Sequence, residues 1–484
     1  MCRLQFLITL VSNNSYTEIW SYLNSREFLK PRLTLKRPDV IIVGAGSAGC
    51  VTARRCAELG LRTLLLDRKP KEEVGQKVCG DEVSKSHFEA TGIDFPRDDE
   101  ISTTIAGADV YPPSLTNELQ VRGWADFDGW TVNRLNFGQR LLDEAIRAGV
   151  VFRHSIHVGG PITIGDQVTG IQYKNLETGE EKVVKTKLVV DASGFAAIIR
   201  SKLDSPLIEN NIDKGDIALC YREILKLKVP LAEPEVARVF LGEGIAPQGY
   251  AWIFPKGLQE VNAGIGVTGG KGKGSPKAHF ATFKERYPLL FESTLIEGKG
   301  GAVPVRRPLK SLVGDGVAFV GDAALQVNPI HGGGIGAGMR AGIILGEVAR
   351  EAIAKHDITA KGIWAYNTRF LSNFGRRLAA LEIFRRLLQS VSDEEMNYGF
   401  EKRILEAGDL MAANKGDGFS ISAVDKMKRV KRGAGKLSLL IKIQKAASLM
   451  KKMNKAYSDY PTTSAGLDAW ERNVLGIIED ANFE

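Results

Sequence analysis

Asp39-Val40-Ile41-Ile42-Val43-Gly44-Ala45-Gly46-Ser47-Ala48-Gly49 is the stretch on which the reading of the fold turns. A short apolar, β-branched run fits a buried strand, and the glycines after it fit a tight turn into the Ala/Cys/Leu pattern of residues 47–59. Gly60 stops that helix, and a second apolar run over residues 61–66 ends on Asp67. In this strand, turn, helix, strand setting Gly44, Gly46 and Gly49 permit the turn, admit a pyrophosphate to the helix N-terminus and let helix pack on sheet. Asp67 is placed to bind the adenosine ribose hydroxyls. The same letters recur at Gly264-Ile265-Gly266-Val267-Thr268-Gly269. There Gly270-Lys271-Gly272-Lys273-Gly274 follows where a helix is required, so it is not a second nucleotide site.

Outward from this unit, residues 167–173 and 181–188 read as antiparallel strands around Glu177-Thr178-Gly179, and residues 188–190 and 317–320 as strands that run into acidic and glycine residues. Residues 218–225, 236–241, 250–254 and 261–267 suggest a second sheet. Beyond His331 the pattern turns helical, and no strand is expected from Gly338 onward. The order predicts an α/β protein with a Rossmann-like dinucleotide domain, an inserted antiparallel-sheet substrate domain and a helical C-terminal region. Its expected divisions are an extension over 1–36, the nucleotide domain over 37–205 and 306–360, the substrate domain over 206–305 and the helical region over 361–484.

A chain of 484 residues with 44% hydrophobic content buries a core large enough for two or three such regions. Its net charge of +8 attracts anionic surfaces without choosing among nucleic acid, phosphate-bearing substrates and lipid headgroups. No nucleic-acid-binding motif accompanies the charge, and no such role is expected. Cys2, Cys50, Cys56, Cys79 and Cys220 are too irregularly spaced for a disulfide framework or a zinc site, so no metal is expected and a reducing cytoplasm fits. No apolar run approaches the roughly 20 residues that span a bilayer. Residues 4–11 are apolar but lack a small-x-small cleavage site after them. Residues 425–455 hold eleven Lys/Arg against one acid, interleaved with Leu, Ile and Met. Such a stretch fits peripheral contact with an anionic membrane, and equally a solvated helix face packed on the core.

The first motif does not separate NAD from FAD; two later segments do. Asp191-Ala192-Ser193-Gly194, followed by Arg200, resembles the DG segment of the flavin hydroxylase-like enzymes. Gly321-Asp322-Ala323-Ala324, with Pro329 and Gly332-Gly333-Gly334-Ile335-Gly336 behind it, resembles their GD segment, in which the aspartate binds the ribityl chain of FAD. A carboxylate at a strand end suits a sugar hydroxyl, and the glycine-rich helix start at Gly334 and Ile335 offers bare N–H groups to the flavin pyrimidine edge. Asp191 and Asp322 also suit plain turn caps. The same resemblance implies a cofactor contact for Arg134 and a backbone contact near the adenine for Val158. FAD is the expected cofactor, in a domain of the glutathione-reductase/p-hydroxybenzoate-hydroxylase type.

Two further segments carry a narrower resemblance. Lys77-Val78-Cys79-Gly80-Asp81-Glu82-Val83-Ser84-Lys85 resembles the CG-containing loop of the archaeal geranylgeranyl reductases, which lies against the isoalloxazine. Gly249-Tyr250-Ala251-Trp252-Ile253-Phe254-Pro255, with Asn262-Ala263-Gly264-Ile265-Gly266 behind it, resembles their YxWxFP signature. The similarity runs from about Asp39 to near the C-terminus and includes residues 383–389. Tyr250, Trp252 and Phe254 alternate, so a strand puts all three on one face, where they wall an apolar channel or fill plain core. The resemblance implies flavin contact for Cys79 and Gly80, catalytic roles for Cys79, Tyr250 and Trp252, and substrate contact for Tyr250, Trp252 and Phe254. A thiol at a flavin face can donate a proton, although free cysteines are often small buried hydrophobes. His331 is a second possible acid, and a lone histidine is more often structural.

The implied reaction is reduction of isolated C=C bonds on geranylgeranyl lipids such as digeranylgeranylglycerophospholipid. Electrons would come from ferredoxin or NAD(P)H, and the site would be cytoplasmic with peripheral membrane contact. The alternatives are an FAD monooxygenase or halogenase of the same fold, and a membrane-associated flavoprotein without turnover.

Overall fold

Strand Val40–Val43 lies inside a six-stranded sheet, paired in parallel with Thr63–Leu66 on one side and Leu188–Asp191 on the other. All four of its residues are buried, as a parallel strand covered on both faces requires. Val151–Arg153 extends the sheet past Thr63–Leu66. Val317–Phe319 and the short antiparallel Val313–Gly314 extend it past Leu188–Asp191. Helix Ser47–Glu58 connects the first two strands, and helix Ile335–Ala354 packs against it. The strand ends thus deliver the glycine loop, Asp67 and Asp191 to one edge of the sheet, which is where a doubly wound fold binds its ligand. The computed structural model describes residues 37–123, 128–268, 274–404, 406–409 and 432–483, and its compact unit begins at Asp39. The expected extension over 1–36, and Lys426, Lys428, Arg429 and Lys431 of the basic stretch, lie outside the described residues.

The second sheet has seven strands in the order Thr294–Pro304, Ile217–Lys226, Glu260–Thr268, Tyr250–Pro255, Val236–Leu241, Gly107–Tyr111 and Leu119–Arg122. It is antiparallel except between Val236–Leu241 and Gly107–Tyr111. Its last two strands come from the stretch before residue 206. Their sequence signal is weak because Asp109 points inward, where Arg122 meets it at 2.8 Å. Thr294–Pro304 is a glycine-rich and largely exposed edge strand, which hides the usual alternation. Of the residues whose letters repeat the nucleotide motif, 264–268 lie in strand Glu260–Thr268, and Gly269 with the Gly/Lys run over 270–273 lies outside the described residues.

Helix Arg376–Ser390 joins the two halves. Glu382 is fully buried and accepts from Arg307 and Arg386, and Arg385 pairs with Asp216 at 2.8 Å. Helix Leu437–Ser458 packs on it. Lys442 donates to the Ser390 carbonyl and to Glu395, and Lys436 to Glu394, so part of the basic stretch holds helices together. No described helix is long and apolar enough to cross a membrane.

Candidate active site

A cavity of about 800 Å³ opens between the two sheets and the C-terminal helices. At one end stands the glycine loop. Gly44 has φ +106°, and a Cβ at Gly49 would stand 1.9 Å from the Gly44 carbonyl oxygen, so neither position accepts a side chain. A Cβ at Gly46 would meet nothing within 4 Å, because this face of the loop is turned to the cavity. Asp67 accepts from the Ala45 and Lys69 amides at 2.7 and 2.8 Å and is fixed at the cavity wall. Arg134 opens helix Arg134–Arg147, which Asn133 caps. Its Nη2 reaches Ser47 at 3.4 Å, while Nε and Nη1 are buried with no hydrogen-bond partner in the protein. A desolvated guanidinium with two idle donors beside a helix N-terminus is suited to a phosphate oxyanion.

The two acidic segments divide in role. Asp191 is fully buried and accepts from Ser193, Ile199 and Arg200, so it organises its own turn and stays out of the cavity. Ala192, Ser193 and Gly194 of that turn do line the cavity. Asp322 lines it as well, paired with Lys77 at 2.6 Å, and the pair raises the lysine's pKa. Gly334 caps helix Ile335–Ala354 beside Asp322, so residues 331–337 close this end.

Across the cavity Tyr250, Trp252 and Phe254 share one face of their strand, with ring centroids 5.6 and 6.2 Å apart in succession. Trp252 pairs in register with Gly264, where a Cβ would stand 2.3 Å from the indole; only glycine lets the ring lie flat on the neighbouring strand. Asn262 is the hub. It is fully buried, its Oδ1 accepts from the Trp252 indole at 3.1 Å, and its Nδ2 donates to the Cys79 carbonyl at 2.7 Å and to Asp81 at 2.9 Å. The aromatic strand and the Cys79-Gly80-Asp81 loop are therefore tied through one amide. Its signal was present as the Asn before the GxG, without any indication that it reached the cysteine loop. The Tyr250 hydroxyl donates to the His331 carbonyl at 2.7 Å, and burial pushes its pKa far up.

Burial also raises Asp81, and pushes Glu82 up to about 7 and Cys220 up to about 12. The exposed His331 accepts at Nδ1 from the Gly333 amide at 3.2 Å. Glu82 lines the cavity, as do Phe374, Leu378, Leu381, Phe384 and Leu388 from the C-terminal segment. Gly49 and Val158 do not line it. Gly49 is packed under the loop, and Val158 is buried in strand Ile156–Ile164, opposite Tyr173 of the antiparallel strand Gln167–Asn175.

Comparison with known proteins places this geometry. Residues 37–218 match an FAD binding domain, and residues 216–303 match a geranylgeranyl reductase catalytic domain. The chain is 36% identical to the digeranylgeranylglycerophospholipid reductase of Sulfolobus acidocaldarius over 92% of its own length and 98% of that protein. It is 32% identical to the enzyme of that name from Methanothrix thermoacetophila, over 75% and 90%. Among solved structures, a geranylgeranyl bacteriochlorophyll reductase-like protein of Thermoplasma acidophilum superposes with a TM-score of 0.70 at 24% identity, over 85% of this chain and 99% of that one. A flavin-dependent brominase superposes with 0.60 at 20% identity, over 86% and 100%. At those identities the structural likenesses speak for the fold alone.

Proposed function

This chain belongs to the digeranylgeranylglycerophospholipid reductase family, and from that premise we propose that it saturates isolated C=C bonds of geranylgeranyl chains on an archaeal ether-lipid precursor. The observation that carries the reading is the junction at Asn262, which joins an aromatic wall to the Cys79 loop in the cavity that also holds the nucleotide site. The cofactor is FAD, which supplies the hydride when bound.

The residues present fit that cofactor. The idle nitrogens of Arg134 would take the pyrophosphate at the turn made by Gly44, Gly46 and Gly49. Asp67 would take the adenosine ribose and Asp322 would take the ribityl chain, whereas Val158, away from the cavity wall, is left without a cofactor contact. The amides of Gly334 and Ile335 would face the pyrimidine edge, and Cys79 and Gly80 would lie against the ring. An isolated alkene has no carbonyl to absorb charge, so proton and hydride delivery must be coordinated in a dry pocket. Tyr250, Trp252 and Phe254 would hold the chain and exclude water, with Tyr250 kept protonated by burial. Cys79 is the proposed proton donor, and Glu82, which burial pushes up to about 7, is a second group lining the cavity that is about half protonated at neutral pH.

Reducing equivalents come from an external carrier such as ferredoxin or NAD(P)H. Substrate is drawn from a bilayer, with the exposed Leu437 and Ile441 and the neighbouring lysines of helix Leu437–Ser458 as the peripheral contact. Mass spectrometry of a geranylgeranyl lipid incubated with the FAD-loaded protein and a chemical reductant tests the reaction. A gain of two hydrogens per saturated bond supports it; an added oxygen or halogen, or an unchanged lipid, refutes it.

A further inference from the structure

The Cys79 loop carries a residue whose conformation and surroundings both work against it. Asp81 stands at φ +69°, in the left-handed region that glycine takes freely and that crowds a Cβ. The residue before it is glycine for another reason: a Cβ at Gly80 would stand 2.7 Å from the Phe254 ring. The sequence therefore places glycine where an aromatic ring has to approach, and an aspartate where the backbone favours glycine. Asp81 is also buried, at 3% exposure, and one of its carboxyl oxygens, Oδ1, has no hydrogen-bond partner in the protein. Burial raises its pKa against the pull of Lys256, Arg134, the Asn262 hydrogen bond and Arg222.

Two unfavourable features at one side chain persist only where the surroundings fix them, and such positions gather where geometry serves a reaction. The Asp81 Oδ2 accepts from Asn262 Nδ2 at 2.9 Å and lies 3.5 Å from Lys256 Nζ, which also donates to Ser102 at 3.2 Å. The Asp81 backbone carbonyl accepts from the Val132 amide at 2.9 Å. Asn262 Nδ2 donates as well to the Cys79 carbonyl, and Asn262 Oδ1 takes the Trp252 indole. One carboxyl oxygen and one backbone carbonyl thus hold both hydrogens of the amide. Both ends of the tripeptide Cys79-Gly80-Asp81 are bound to a single buried asparagine, so the loop is fixed relative to the aromatic wall and not only to its own neighbours along the chain.

We propose that Asp81 is a positioning residue: acting through Asn262, it holds the Cys79-Gly80 loop at the distance from Trp252 and Phe254 that alkene reduction requires, in a conformation that costs the fold stability. The assignment rests on the reductase reading above. It accounts for an aspartate at a position that favours glycine, because glycine there would relieve the backbone and release the loop in one step.

The test is Asp81→Gly in the FAD-loaded enzyme, assayed with geranylgeranyl phosphate and dithionite. Denaturant unfolding should give a midpoint no lower than that of the wild type, since the backbone strain and the orphaned oxygen both disappear. FAD content should stay full while kcat falls roughly tenfold or more, the scale on which displacing a positioned group slows a reaction. KM should change less than about twofold, because Tyr250, Trp252 and Phe254 stay on their own strand. Asp81→Asn, which keeps an acceptor for Asn262 and tolerates the same φ, should recover part of kcat. Iodoacetamide labelling of Cys79, located by mass mapping, reads loop order without turnover and should run several times faster in Asp81→Gly. A midpoint, FAD content and kcat that fall together make Asp81 a structural residue and overturn the proposal. So does an unchanged kcat, an Asp81→Asn enzyme no better than Asp81→Gly, or an equal labelling rate. A wild-type enzyme that reduces no geranylgeranyl phosphate sinks the reductase reading, whereas labelling and unfolding still decide whether Asp81 fixes the loop.

Discussion

At residues 44–49 the backbone faces the cavity, whereas at Tyr250–Pro255 the side chains do. The glycine loop needs only its own strand, turn and helix, all adjacent in sequence, to present amides and an empty space to a phosphate. The aromatic wall needs Asn262 from the neighbouring strand and, through it, Cys79 and Asp81, which lie 183 and 181 residues from the asparagine. One half of the cavity is therefore specified locally and the other by a long-range polar junction. The first should fail through steric exclusion, the second through unsatisfied buried groups.

The largest effect is expected at the local half. In Gly49→Ala the new methyl meets the Gly44 carbonyl, and the turn cannot keep its shape. Flavin absorbance per mole of purified protein should fall to near zero. Full FAD content in this variant would mean that the loop binds nothing, and the comparison would lose its first term.

Asn262→Leu tests the second half. The Trp252 N–H, the Cys79 carbonyl and the already desolvated Asp81 all lose a partner, which should cost at least about 3 kcal/mol of stability at roughly 1 to 3 kcal/mol per orphaned group. Denaturant unfolding reads the loss, and alkene reduction should drop further than FAD content. Parallel losses of flavin and turnover would show that the junction serves the whole core rather than the substrate side.

The smallest effect sharpens the boundary between the halves. Glu82 titrates near 4.5 in an unfolded chain and near 7 here, because burial disfavours its charge. Over that interval the folded protein keeps the proton and the unfolded chain releases it. The contribution of Glu82 to stability is thus complete below about pH 4.5 and declines as pH rises to about 7. Glu82→Gln should flatten that part of the pH profile of the denaturation midpoint. Identical profiles would place the Glu82 carboxylate in contact with water.

The nucleotide half was legible along the chain, because a strand, three glycines and an acid act through a spacing that no distant residue has to complete. Asp67, Arg134, Asp322 and Gly334 were legible for the same reason, each standing at the start or end of an element. Asp191 shows the limit, since its letters fit a sugar contact and only the hydrogen bonds to Ser193, Ile199 and Arg200 turn it inward. The tertiary structure alone decided that Gly107–Tyr111 and Leu119–Arg122 complete the substrate sheet and that Asn262 joins aromatic strand to cysteine loop. A buried polar group has to find its partner wherever the fold brings one, and that position is not encoded in its neighbours along the chain.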